Sequence, residues 1–209
     1  MKFKFRSAGV ALLLATAVSS AGIAVAQSSP TGAISLVLTP STTTPPQTTS
    51  FTVDLNINMT AATGICTTGG ATVPMALGAY SLGVTFDNTK LSYVGAAVCP
   101  TAPAEFSTVP SCNNLGSEVV CTSVNSGPNT LSPTGSVCVL RLTFTNNSAT
   151  VIGPTSLGTS HTPAPRSIAS QLVLSPANCG GGSTFPAGSI SDGSVPTITP
   201  ATLTEFTAD

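Results

Sequence analysis

Residues 79–94 read AYSLGVTFDNTKLSYV, and their pattern indicates the fold class. Its first half alternates strictly, with large apolar side chains at Tyr80, Leu82, Val84 and Phe86. Because successive side chains of a strand point to opposite faces, the alternation predicts a half-buried β-strand over residues 79–86. The next four residues, DNTK, have the Asx chemistry of a turn. A second strand is then predicted over residues 91–98.

The same two-residue period recurs elsewhere in the chain. Residues 51–59, FTVDLNINM, alternate apolar and polar side chains without an error. Further strands are predicted at residues 33–38, 118–124, 137–144, 167–174 and 193–199. No stretch of ten residues has helical periodicity, and Gly, Pro and Asn separate the strands. Two sheets packed face to face bury such apolar faces, so the sequence predicts an all-β antiparallel sandwich of about nine strands.

The amino terminus has the parts of a secretory signal peptide of bacterial style. These are a basic segment at residues 2–6, an apolar segment at residues 8–18 and the cleavage motif Ala24-Val25-Ala26. The apolar segment is shorter than the roughly 20 residues that a membrane-spanning helix needs. We therefore expect residues 1–26 to be a signal peptide, residues 27–199 to form one secreted domain without a membrane span, and residues 200–209 to be a flexible tail.

Charge excludes one class of function. Residues 27–209 carry Lys90, Arg141 and Arg166 against seven acidic residues, a formal net charge of −4. Nucleic-acid binding needs clustered Lys and Arg side chains that neutralise phosphates, so no nucleic-acid partner is expected.

All six cysteines lie in the exported part of the chain, and an even number in an oxidising compartment favours three disulfides. The predicted pairs are Cys112–Cys121, Cys66–Cys99 and Cys138–Cys179. The first is favoured because residues 113–116 form a turn between its members. No C-x-x-C pair occurs and His161 is the only histidine, so no metal site is expected.

No motif indicates catalysis. The G-x-S-x-G motif that presents a nucleophilic serine is absent, and the one histidine, His161, lies in a loop rich in Thr, Ser and Pro. Asp87 and Asp192 fall in turns, where a carboxylate caps its own backbone more often than it binds calcium. We expect neither an enzyme nor a cofactor.

Residues 79–94 resemble the strand, Asp-containing turn and strand of cohesin domains. Residues 135–144 resemble a later strand of that family, and Ser191-Asp192-Gly193-Ser194-Val195 resembles its closing strand. With residues 51–59, the resemblance spans roughly residues 33–199. It implies a jelly-roll sandwich of the cohesin and carbohydrate-binding-module superfamily and a non-catalytic binding role, with a dockerin-like or other surface protein as the partner.

The sequence also suggests a binding surface. If the strand at residues 137–144 lies beside the strand at residues 79–86, their outward side chains form one flat patch: Ala79, Ser81, Gly83, Val137, Val139 and Arg141. Cys138, Leu140, Leu142 and Phe144 then face the core. Burial of Val137 and Val139 beneath an inserted loop is the alternative. Such a patch of small and apolar side chains suits a partner helix or an edge strand.

Two other functions remain open at this level. Polysaccharide binding commonly uses a strip of exposed aromatic side chains, but the chain has no Trp. With Tyr80 predicted inward, only Tyr93 and phenylalanines such as Phe106 and Phe185 remain for such a strip. A structural role in an extracellular matrix or surface layer fits the low charge and the disulfides equally well.

Overall fold

The computed structural model describes residues 32–65, 72–74, 77–124, 134–147, 155–160, 172–174, 190–192 and 198. The predicted signal peptide and tail lie outside these residues, as do Cys66, Cys179, His161 and Phe185. No helix within the described ranges is long and apolar enough to cross a membrane.

The described residues form twelve strands and one short 3-10 helix at Ala104–Phe106. The strands are β1 (Ile34–Pro40), β2 (Ser50–Asn58), β3 (Thr63–Ile65), β4 (Thr72–Pro74), β5 (Leu77–Thr85), β6 (Leu91–Ala97), β7 (Ser111–Asn114), β8 (Glu118–Val124), β9 (Ser136–Asn146), β10 (Gly158–Ser160), β11 (Leu172–Leu174) and β12 (Ile190–Ser191).

Ten of these strands make two sheets. Sheet I has the order β12-β1-β2-β9-β6, and sheet II has the order β10-β5-β8-β7, with β11 also paired to β5. Adjacent strands are antiparallel except β1 and β12, which run parallel with Ile34 opposite Ile190. β3 and β4 form a separate hairpin. The predicted antiparallel β-sandwich is confirmed.

Alternation places the core between the two sheets, as the sequence predicts. Phe51, Val53, Leu55, Ile57 and Met59 of the β2 segment are all buried. From β5, the side chains of Tyr80, Leu82 and Val84 are at most 1% exposed, and they belong to the same apolar cluster as the β2 residues. Rings from both sheets meet in this cluster, where the centroids of Phe86 and Phe144 lie 5.1 Å apart.

A β-bulge in β9 corrects the predicted facing of that strand. Leu55 pairs with Leu140 and Asn56 pairs with Cys138, so Val139 is an extra residue in β9. One extra residue reverses the alternation on its amino-terminal side. Val137 therefore turns towards the core and is 4% exposed, Val139 is fully buried, and Cys138 lies with Asn56 on the outer side.

The segment between β6 and β8 completes the core at one end. Phe106, in the 3-10 helix, is 1% exposed, and its ring centroid lies 5.9 Å from that of Tyr80. The Tyr80 hydroxyl donates a hydrogen bond of 3.0 Å to the carbonyl oxygen of Val139, which links β5 of sheet II to the bulge in sheet I. Burial raises the pKa of the Tyr80 phenol.

Two disulfides are described, and one was predicted correctly. Cys112–Cys121 joins β7 to β8. The second is Cys99–Cys138, which joins the segment after β6 to β9. The predicted pairs Cys66–Cys99 and Cys138–Cys179 are therefore wrong. β6 and β9 are neighbours in sheet I, so the fold brings Cys99 to Cys138 across 39 residues of sequence.

Candidate functional site

The structure divides the predicted patch between two sheets. Ala79, Ser81 and Gly83 lie on the outer side of β5 in sheet II, whereas Arg141 lies on the outer side of β9 in sheet I. Val137 and Val139 are buried. β5 and β9 do not pair, so the six residues form no single surface; the alternation in each strand carries no information about which sheet the strand joins.

On sheet I, Arg141 is held by a carboxylate. Its Nε and Nη2 atoms donate to the two carboxylate oxygens of Asp54 at 2.6 and 2.7 Å, and Asp54 stands directly opposite Arg141 in the β2–β9 pair. These hydrogen bonds raise the pKa of Arg141. A two-point pair between half-buried side chains fixes both groups, so Arg141 is a structural partner of Asp54.

The Asp54 carboxylate also lies close to the sulfur atoms of Cys99 and Cys138, with all three ligand atoms within 4.8 Å of one another. The two sulfurs are bonded to each other, and a cysteine binds a metal ion as a free thiolate. This cluster is therefore a disulfide beside an ion pair.

Sheet II presents a different outer side. At its centre Ser81 is 9% exposed and Val120 is 3% exposed, and Gly83 is buried. The hydroxyl of Thr122 donates to Ser81 Oγ at 3.1 Å. The predicted residues of β5 are therefore largely shielded, and the exposed part of this side lies on β7 and β8.

Five exposed, uncharged side chains occupy that part, which we call the β7–β8 surface: Val109, Ser111, Asn113, Thr122 and Val124. Ser111 pairs with Thr122, so both side chains lie on the same face. Val109 and Val124 each stand two residues beyond that pair. They are 59% and 61% exposed, among the most exposed large apolar side chains of the described residues.

The disulfide Cys112–Cys121 lies directly beneath this surface. The two cysteines face each other in the β7–β8 pair, between the outward pairs Ser111–Thr122 and Asn113–Val120. Cys121 is fully buried, so the cross-link is on the core side of the sheet. β7 has β8 as its one described neighbour in the sheet, and the disulfide fixes this edge strand in register.

Described aromatic side chains form no exposed strip. Phe106, one of the residues left for such a strip by the sequence, is buried against Tyr80. Tyr93 is half-buried and packs its ring against Phe144 at a centroid distance of 6.1 Å. The aromatic residues that sequence analysis offered for sugar stacking are thus used in the core wherever the structure describes them.

The turn at residues 87–90 forms as predicted. Asp87 Oδ1 accepts hydrogen bonds from the backbone nitrogen of Thr89 at 3.0 Å and from its hydroxyl at 2.6 Å. These bonds hold the pKa of the Asp87 carboxyl below its ordinary value. Asp87 Oδ2 lies 3.6 Å from Lys90 Nζ. Asp87 therefore caps its own backbone. The second carboxylate that the sequence placed in a turn, Asp192, accepts a hydrogen bond of 3.2 Å from the hydroxyl of Thr159.

Sequence analysis missed the β7–β8 surface. The signal for it in the sequence was two apolar residues, Val109 and Val124. Each stands where the alternating pattern stops, next to Pro110 and Asn125 respectively. Their proximity depends on the β7–β8 register, and no strand was predicted at residues 111–114.

The sequence matches no protein-family model, and no curated protein matches it. Solved structures do match. The seventh type I cohesin of ScaB from Pseudobacteroides cellulosolvens superimposes with a TM-score of 0.53 at 11% identity, over 84% of this chain and 99% of that chain. A cohesin module from a family 33 glycoside hydrolase of Clostridium perfringens gives 0.52 at 8% identity, over 79% and 97%.

A type I cohesin–dockerin complex from Clostridium thermocellum also matches, with a TM-score of 0.52 at 6% identity over 79% of this chain and 99% of that chain. At such low identities the similarity concerns the fold. The chain therefore has a cohesin-like β-sandwich, as the resemblance of residues 79–94 implied.

Proposed function

We propose that this chain is a secreted, non-catalytic docking module that binds a dockerin-like protein through the β7–β8 surface. The observation that carries the proposal is this surface itself: four exposed and uncharged side chains share one side of the β7–β8 pair, and the exposed Val109 lies just before β7. The cohesin-like fold supports the choice of partner, because a structure of similar fold is a cohesin–dockerin complex.

Rigidity is the first reason why this surface suits a protein partner. A partner that binds a preorganised surface avoids part of the entropy cost of ordering side chains and backbone. β7 is only four residues long, and Cys112–Cys121 ties its second residue to β8. The disulfide thereby contributes to binding by holding Ser111 and Asn113 in place.

Polarity is the second reason. Val109 and Val124 offer apolar area that is favourable to bury, while the hydroxyl and amide groups of Ser111, Asn113 and Thr122 offer hydrogen bonds. None of the five side chains is charged, so docking on them requires no desolvation of an ion within this surface. We expect the affinity to change little with ionic strength.

The described ionisable groups support a non-catalytic role. Arg141 is bound to Asp54, and Asp87 is engaged by Thr89 and Lys90. The two disulfides support export to an oxidising compartment.

The test is a binding titration with a matched pair of variants. The mature chain is titrated calorimetrically with a panel of type I dockerin modules, beginning with the dockerin of the Clostridium thermocellum complex. Val124→Asp places a charge on the β7–β8 surface and should weaken binding by tenfold or more, on the order of 1.4 kcal/mol. Val37→Asp is the control, because Val37 is 43% exposed on the outer side of sheet I.

Unchanged affinity of Val37→Asp together with weakened affinity of Val124→Asp supports the proposal. Failure of every panel dockerin to bind at about 100 μM contradicts it, since the binding free energy is then weaker than about 6 kcal/mol. Retention of the chain on insoluble cellulose or chitin that Val124→Asp abolishes also contradicts it, because the β7–β8 surface would then bind polysaccharide.

A further inference from the structure

A polar cleft opens at the other end of sheet II. Its volume is about 390 Å³, at the low end of the roughly 300–1,000 Å³ found for small-ligand sites. It lies where β5 ends, where β8 begins and just before β10. Its polar lining consists of Thr85, Asp87, Lys90, Ser117, Thr155 and Ser156.

One side chain of this lining lacks a hydrogen-bond partner. Thr155 is 3% exposed, and its hydroxyl oxygen is buried without a hydrogen bond. Its backbone is fully engaged, since Thr155 and Ile198 exchange two hydrogen bonds of 3.0 and 2.8 Å. A buried hydroxyl without a partner costs about 1–3 kcal/mol, and a bound ligand that pairs with it recovers part of that cost.

Charge and donor type define the class of ligand. The Asp87 carboxylate and the Lys90 ammonium lie 3.6 Å apart, so their charges offset each other and the residues that line the cleft carry no net formal charge. A carboxylate accepts hydrogen bonds, an ammonium donates them, and each hydroxyl does both. Adjacent hydroxyl groups of a neutral ligand match this set.

We propose that this cleft binds a neutral saccharide of about disaccharide size through hydrogen bonds to Asp87, Lys90 and the surrounding hydroxyl groups, among them Thr155. The cleft does not use aromatic stacking. It is a second site, distinct from the β7–β8 surface: Val124 lies six residue steps along β8 from Glu118, the residue opposite Thr85, which is about 20 Å of strand. The two sites can therefore be occupied together.

Nuclear magnetic resonance titration of the mature chain tests this proposal. Cellobiose, maltose and N,N′-diacetylchitobiose are each added up to about 10 mM, a range suited to millimolar affinity. We expect at least one sugar to shift the backbone amides of Asp87, Ser117 and Ser156 while those of Thr122 and Val124 stay unchanged. Lys90→Gln and Thr155→Val should each weaken this binding about tenfold.

Thr155→Val has a second readout that separates binding from folding. Valine keeps the shape of threonine without the unpaired hydroxyl, so the variant should melt at an equal or higher temperature without sugar and show a smaller stabilisation with sugar. Thr143→Val, on the outer side of sheet I, is the control and should bind as the parent does. Absence of amide shifts with all three sugars overturns the proposal, as do shifts that neither Lys90→Gln nor Thr155→Val reduces.

Discussion

The outer sides of the two sheets differ in how their polar groups are used. On sheet I, the charged residues at the centre are paired, with Asp54 and Arg141 held by two short hydrogen bonds next to the Cys99–Cys138 disulfide. On sheet II, the β7–β8 surface has no charge and exposes two valines. Each sheet has one disulfide among the described residues, and that of sheet II lies directly beneath the exposed β7–β8 surface.

In our proposal, this difference separates a structural side from a binding side. A charge pair on sheet I satisfies itself and offers a partner little. The exposed valines of sheet II are favourable to bury, and the cross-link beneath them limits the entropy cost of docking. Disulfides therefore serve stability on one sheet and, in our proposal, preorganisation of a binding surface on the other.

Removal of the disulfides should have the largest effect on stability, and the effect should differ between the two sheets. The chain-entropy relation predicts that Cys99→Ala with Cys138→Ala costs about 4 kcal/mol of unfolding free energy, against about 2.5 kcal/mol for Cys112→Ala with Cys121→Ala. The difference follows from sequence separations of 39 and 9 residues. Urea denaturation measures both costs.

Affinity for the dockerin should follow the opposite order. The variant without Cys112–Cys121 loses affinity although it is the more stable of the two, and the variant without Cys99–Cys138 keeps parental affinity under conditions where it is folded. Equal affinities of the two folded variants would show that the sheet II disulfide has no role in docking.

Tyr80→Phe should have a smaller effect and act on the link between the sheets. The variant loses the hydrogen bond from the Tyr80 hydroxyl to the Val139 carbonyl, which costs about 0.5–1.5 kcal/mol. Tyr93→Phe is the control, because Tyr93 is half-buried and its ring contact with Phe144 is retained; it should stay within about 0.5 kcal/mol of the parent. Equal losses for both variants, measured in urea, would refute the role given to the Tyr80 hydroxyl.

Asp87→Asn should have the smallest effect, and one that depends on pH. The folded-state pKa of Asp87 lies below the ordinary value of 3.8, so its ionised carboxylate stabilises the fold above that value, and this contribution is lost as the pH falls through the folded pKa. Asparagine keeps an acceptor oxygen for Thr89 but removes the charge. Thermal melts should show the parent slightly more stable at pH 6, with the difference vanishing towards pH 2; a difference independent of pH contradicts this assignment.

Sequence alternation predicted most long strands because burial in a half-exposed strand has a period of two residues. The strand at residues 118–124 coincides with β8, and the prediction at residues 51–59 fits β2. It failed at Val139, where the bulge adds one residue and reverses the facing of Val137 and Cys138.

Contacts between distant segments could not be predicted from alternation, because they depend on which strands are neighbours in the sheets. Cys112–Cys121 was predictable because a turn joins its members, whereas Cys99–Cys138 depends on β6 and β9 being neighbours. The predicted six-residue patch does not form for the same reason: the strand at residues 137–144 joins sheet I, while the strand at residues 79–86 joins sheet II.

Mapping a bound dockerin onto the backbone amides locates the docking surface. Titration of the isotope-labelled mature chain with a dockerin that binds it should shift the amides of Ser111, Asn113, Thr122 and Val124 and leave those of Asp54, Asn56 and Arg141 unchanged. Shifts concentrated on Asp54, Asn56 and Arg141, with β7 and β8 unaffected, would show that the partner docks on sheet I and would contradict docking through the β7–β8 surface.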